Sequence, residues 1–261
     1  MKVGVCVLAV AAMATGIVNL AFGAFDPAEE PIAAWGDNVP AHGAFSDVVA
    51  VLLIAGGMAI VTRRAARFGA IVLALCYLLF AIFAFPRLFT APHFLGWQGA
   101  IGAAVGVGQN LIVVAAAVLL YISFSARNDT RLQFVAQVSR WVFGLSTIIF
   151  GLGHFTGIGS VAAMVPKWMP LGGAVWAMVT GIGFLSAGVA ILCGVLDVLA
   201  ARLLALMLLV FSALALAPIL LAYPHNHAAW GVNTYNLAAI GATLILAEWL
   251  AGRRSARAAG Q

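Results

Sequence analysis

Charge is what this 261-residue chain has least of: 8% of its residues are Asp, Glu, Lys or Arg, while 64% are hydrophobic. Soluble globular domains carry about a quarter charged residues, so a soluble fold is excluded. Disorder and nucleic-acid binding fall with it, since both need polar surface. Cysteine is equally sparse. Cys6, Cys76 and Cys193 each stand alone in an apolar run without Cys-x-x-Cys spacing, which excludes a disulfide scaffold and argues against thiol–disulfide chemistry. The 28 glycines never fall in a strand–glycine–helix context, so no phosphate-cradling loop is expected, and most are read as helix-packing residues.

Long apolar runs are present instead. A membrane helix needs about 20 mostly apolar residues. Eight such runs occur, near Val3 to Phe25, Ala44 to Thr62, Phe68 to Phe85, Ile101 to Ser125, Trp141 to Gly159, Gly173 to Leu196, Leu203 to Tyr223 and Val232 to Ala251. The predicted fold is all-α, a polytopic membrane protein with eight transmembrane helices in two tandem four-helix bundles. Lipid gives helices no hydrophobic reason to associate, so small-residue faces such as Gly102 with Gly106 and Gly153 with Gly157 are expected to pack.

The net charge of +5 reports topology rather than an acidic partner. Alternate loops hold Lys2; Arg63, Arg64 and Arg67; Arg127, Arg131 and Arg140; Arg202; and Arg253, Arg254 and Arg257. The other loops hold Arg87 and Lys167 and collect Asp26, Glu29, Glu30 and Asp37. The positive-inside rule then predicts both termini in the cytoplasm, in a bacterial inner membrane. Lys2 followed by an apolar stretch and Ala21-Phe22-Gly23 also fits a cleaved signal peptide, but an internal repeat argues against it.

In that repeat, Gly16 to Gly23 resembles Gly144 to Gly151; Val39-Pro40 answers Val165-Pro166; Ala65-Ala66-Arg67 answers Ala200-Ala201-Arg202; His93 with Trp97 answers His227 with Trp230; and Asn110-Leu111 answers Asn236-Leu237. Residues 1–125 read as a first four-helix repeat, 126–137 as a cytoplasmic linker, 138–251 as a second repeat and 252–261 as a basic tail. Four helices per repeat is even, so both copies share one orientation about an axis along the membrane normal.

Candidate chemistry gathers on the outer side. All five histidines, His42, His93, His154, His225 and His227, fall in or beside the outer loops. An ionisable group at membrane depth is a functional candidate. His154 is the strongest, at the end of the fifth helix; the repeat gives it Asp26 as partner, and Asp47 lies at similar depth. With Asn110 and Asn236 these residues make the expected ligand-binding set, against a plainer reading in which the amides only hold helices together. Catalytic residues are not identified. No metal site is expected; the His225-x-His227 pair is the nearest candidate, and a site needs three or four ligands. Glu248 reads as an ion-pair partner of Arg253 and Arg254, and Trp35, Trp97, Trp168, Trp176 and Trp230 as interfacial anchors.

Phe150-Gly-Leu-Gly-His154-Phe155, then Val165-Pro-Lys-Trp168-Met-Pro170, Trp176, Gly181 and Arg202-Leu-Leu-Ala205 resemble the DoxX-like integral membrane proteins, over about residues 141–250. The first half departs, with Asp26 in the histidine position and a longer acidic loop, and reads as a diverged copy. The resemblance implies a membrane subunit of a quinone-linked electron-transfer or redox-protective system, with a quinone or a redox protein as partner and no tightly bound cofactor identified. Two other classes fit the sequence: a small-molecule carrier or permease, and a structural or assembly protein without catalysis.

Overall fold

The computed structural model describes residues 3–30, 39–125 and 129–258, so Lys2, Trp35, Asp37 and Arg127 lie outside the described residues. The helices are α1 (Val3–Phe22), α2 (His42–Val61), α3 (Ala66–Ala84), α4 (Arg87–Ser123), α5 (Thr130–Thr156), a short α6 (Ile158–Met164), α7 (Gly173–Cys193), α8 (Asp197–Phe211) continued through a π turn (Ser212–Leu216) into α9 (Ala217–Ala222), and α10 (His227–Ala258). The π turn fuses α8 and α9 into one span, and among the described residues eight helices are long and apolar enough to cross a membrane. Their outward residues, among them Val10, Ile17, Leu75, Ile82, Leu145 and Leu206, are more than half exposed. Such an apolar girdle is an aggregation liability in water and a solvated surface in lipid.

Several boundaries differ from the hydropathy reading. The fourth span begins at Arg87 rather than near Ile101, because Arg87 to Leu95 is already helical and joins the span at Gly96, whose φ of 59° only glycine adopts readily. The fifth begins at Thr130 inside the expected linker, because Asp129 caps it, accepting the Arg131 N–H at 2.8 Å. The seventh starts at Asp197.

Packing repeats between the halves. In each, the first helix lies on the second, the second on the third and the third on the fourth; the first helix also packs on the fourth helix of the other half, α1 on α10 and α5 on α4. The two fourth helices, α4 and α10, meet at the centre. Each half therefore encloses its interior with three helices of its own and both central ones. The seam between α5 and α7 is close: a Cβ on Gly188 would lie 2.6 Å from Ile148 and 2.8 Å from the Gly144 carbonyl. Gly153 also packs, against Val105, whereas a Cβ on Gly102 or Gly106 would meet nothing within 4 Å, so that expected contact face is not used.

Candidate functional site

The interiors of the halves are filled differently. In the second half, α4, α5, α6, α7, α8 and α10 line a cavity of about 560 Å³. Its lining runs along α5 from Phe143 to Gly157, which at 1.5 Å per residue makes it roughly 20 Å long. The wall is mostly apolar, with Phe150 stacked on Phe184 at 5.6 Å and the His154 ring tilted over Phe184 at 4.9 Å. Its polar groups include His154, Asn236, Gln109, Tyr235, Thr147 and Thr180.

Two of these are fixed by backbone. His154 Nδ1 lies 2.9 Å from the Phe150 carbonyl, so that nitrogen donates and Nε2 is left as an acceptor. Asn236 Nδ2 donates to the Leu208 carbonyl at 3.1 Å and to Ser212 Oγ at 2.5 Å, at the start of the π turn. Asn233 holds the other end, donating to the Leu216 carbonyl at 3.1 Å. The helix interruption thus sits beside the cavity, where π turns and broken helices commonly mark binding sites.

In the first half the chain plugs the equivalent space. The segment after α1 folds inward, burying Phe25 against Phe45, Phe80 and Phe83 with ring centroids 5.5, 5.8 and 6.1 Å away. It carries Asp26, buried, and Glu29, half-buried, with it. Asp26 Oδ1 accepts the Ala28 N–H at 2.7 Å, and Oδ2 rests on Gly231 of α10, where a Cβ would lie 1.3 Å from it. Glu29 Oε2 accepts from Asn110 Nδ2 at 3.1 Å. Arg87 secures the segment from outside, donating to the carbonyls of Pro27, Ala28 and Glu30. Burial pushes the Asp26 carboxyl up to about 6, opposed by the Ala28 N–H. Burial, reinforced by the Asp26 charge and opposed by Asn110, pushes Glu29 up to about 8.

The expected five-residue set is therefore divided. His154 and Asn236 line the cavity; Asp26 and Asn110 belong to the buried acidic cluster of the other half; and Asp47 is exposed at the start of α2. His227 Nε2 lies 3.2 Å from Asn19 Oδ1 and its ring stacks on Phe22 at 4.3 Å, while His225 is exposed. Among the described residues no group of three His, Cys, Asp or Glu is placed to hold a metal ion. Glu29, Tyr77 and Tyr235 were not singled out as site residues by the sequence, whereas Gln109, one of its in-helix amides, does line the cavity. The signal was Phe25 beside Asp26 directly after a helix, an aromatic that has to find a core. At the opposite end Arg254 pairs with Asp197, at 2.6 Å, and Arg140 stands 3.9 Å from the same carboxylate.

No family model, no curated protein and no solved structure matches the chain.

Proposed function

We propose that the second-half cavity binds an elongated lipophilic molecule with a small polar head, a quinone or quinol, and that the protein is a DoxX-like subunit of a quinone-linked electron-transfer or redox-protective system. The observation that carries this reading is the cavity itself: about 560 Å³, long, aromatic-walled, with His154 and Asn236 as fixed polar points. Pockets of ~300–1,000 Å³ with few convergent polar groups are the usual form of a small-molecule site. An isoprenoid tail suits the apolar length; an acceptor at His154 Nε2 suits a quinol hydroxyl. The basic residues at one end and acidic loops at the other support a bacterial inner membrane with both termini cytoplasmic.

Equilibrium binding of decylubiquinol, whose hydroxyl can donate to His154 Nε2, tests the reading in mild detergent. Binding that weakens about tenfold in His154→Gln, with unchanged helix content, supports it, since one hydrogen bond contributes about 1 kcal/mol or more when its partner is left buried. Absent binding by the wild type overturns it. A carrier is the second reading, favoured by the interrupted α8 span beside the cavity, and transport of the probe between vesicle compartments distinguishes the two.

A further inference from the structure

The cavity has a mouth, and the place of that mouth decides what can reach it. Of the residues that line the cavity, the exposed ones are Leu95, Gln98 and Gly102 of α4 and Ser160 of α6; the others are buried or half-buried. The opening therefore lies between α4 and α6. No packed seam joins these two helices, since α6 rests on α7 and on the end of α5. A Cβ on Gly102 would meet nothing within 4 Å, so the α4 edge faces open space. That edge has a fixed shape. The chain turns at Gly96, and the two pieces of α4 close on each other so tightly that a Cβ on Gly99 would lie 2.6 Å from the Ala91 carbonyl.

Height along the bundle places the opening against lipid. Arg140, with Asp197 and Arg254, marks the charged end of α5, and Gly157 closes the helix at the other end. The two are about 25 Å apart at 1.5 Å per residue, within the roughly 30 Å of hydrocarbon that a bilayer presents. The mouth thus sits at the far boundary of the hydrocarbon layer rather than beyond it.

Its surroundings agree. Phe94 is 86% exposed and Trp97 67%, beside Leu95 and Gln98 on one edge, and Trp168 at 72% and Leu171 at 76% follow α6 on the other. Aromatics so exposed are a liability in water and anchors at the headgroup level. Among the described residues that line the cavity none is Lys, Arg, Asp or Glu, so no fixed charge at the mouth draws a charged solute from water.

We propose that the cavity is loaded sideways from the bilayer, through the opening between α4 and α6, by an amphiphile dissolved in the leaflet opposite the Arg140–Asp197–Arg254 cluster. In the orientation proposed above this is the outer leaflet. The identity of the amphiphile rests on the quinone reading; the position of the mouth does not. Leu95, Gln98, Gly102 and Ser160 form its rim, and His154, on the last turn of α5, is a polar group the entering head meets.

A nitroxide on Ser160→Cys, in the full chain with Cys6, Cys76 and Cys193 replaced by alanine and reconstituted in phosphatidylcholine vesicles, tests the mouth without a ligand. Collision with dissolved oxygen is compared with collision with a water-soluble nickel chelate, using Leu75→Cys on the apolar girdle and Arg63→Cys in the α2–α3 loop as references. A ratio nearer to that of Leu75→Cys supports the proposal; one nearer to that of Arg63→Cys puts the mouth in water and overturns it. The route is tested by stopped-flow binding of decylubiquinol in the same vesicles to the wild type and to Ser160→Trp, both with native elution and helix content. A narrowed mouth slows entry and exit alike, so association and dissociation rates that both fall about fivefold support the route, and any other pattern overturns it. Failure of decylubiquinol to bind the wild type, with a lipid-like ratio at Ser160→Cys, overturns the quinone reading and supports the mouth alone.

Discussion

Asp26 and Gly231 show how one residue can be fixed by the absence of another's side chain. Asp26 Oδ2 occupies the space a Cβ on Gly231 would need, 1.3 Å away. Gly231→Ala is therefore expected to expel the loop carboxylate or bend α10, costing about 1–3 kcal/mol as overpacking does, read as a lower Tm in detergent. Glu29 carries the pH dependence. Its folded value, about 8, is above the ordinary 4.5, so the native state holds a proton that the unfolded chain releases earlier. Its contribution is fully present below pH 4.5 and is lost as pH rises to about 8, on the order of 5 kcal/mol at most. Thermal unfolding between pH 5 and 9 is expected to show falling stability in the wild type and a flatter profile in Glu29→Gln. The sequence reading placed Glu29 and Asp26 correctly in a loop and missed that the loop turns inward, because acidic loop residues ordinarily stay wet and only the burial of Phe25 reverses that.

Elements were legible where hydropathy speaks and obscure where a single residue decides. The eight spans follow from apolar length alone. The early start of α4 did not, because Pro92 and Gly96 read as loop punctuation, yet the helix continues past the one and turns at the other. The π turn after α8 leaves no periodicity signal; it is recognised only by Asn236 and Asn233 reaching its two ends. His154 and Asn236 were found by depth and polarity, whereas Asp26 and Asn110 were grouped with them because a repeat fixes height along the membrane normal but not the half into which a side chain turns. At the opposite end, Asp197 ties the start of α8 to Arg254 of α10 and lies near Arg140 of α5. Asp197→Ala leaves Arg140 short of a partner in a poorly exposed site; since Arg254 is half exposed, the loss is expected to be about 1–2 kcal/mol, measured as a lower midpoint of thermal unfolding.

At the scale of the molecule, two halves with repeated packing carry opposite interiors, one plugged by the chain's own Phe25–Glu29 segment and one open. The central helices divide them: Asn110 of α4 faces the plug while its neighbour Gln109 lines the cavity. Reporter fusions after Arg67 and Gly260 are expected to read as cytoplasmic and one after Asp37 as external; an external reading at Gly260 would contradict the proposed orientation. The cavity is the claim on which the functional account depends, and Gly102 gives the means to test it. It lines the cavity, and a Cβ there meets nothing within 4 Å, so Gly102→Phe fills the space without displacing a helix. Equilibrium binding of decylubiquinone to the wild type and to Gly102→Phe, both with native elution and helix content, is predicted to give saturable binding in the first and at least a tenfold loss in the second; equal binding by the two would contradict the account.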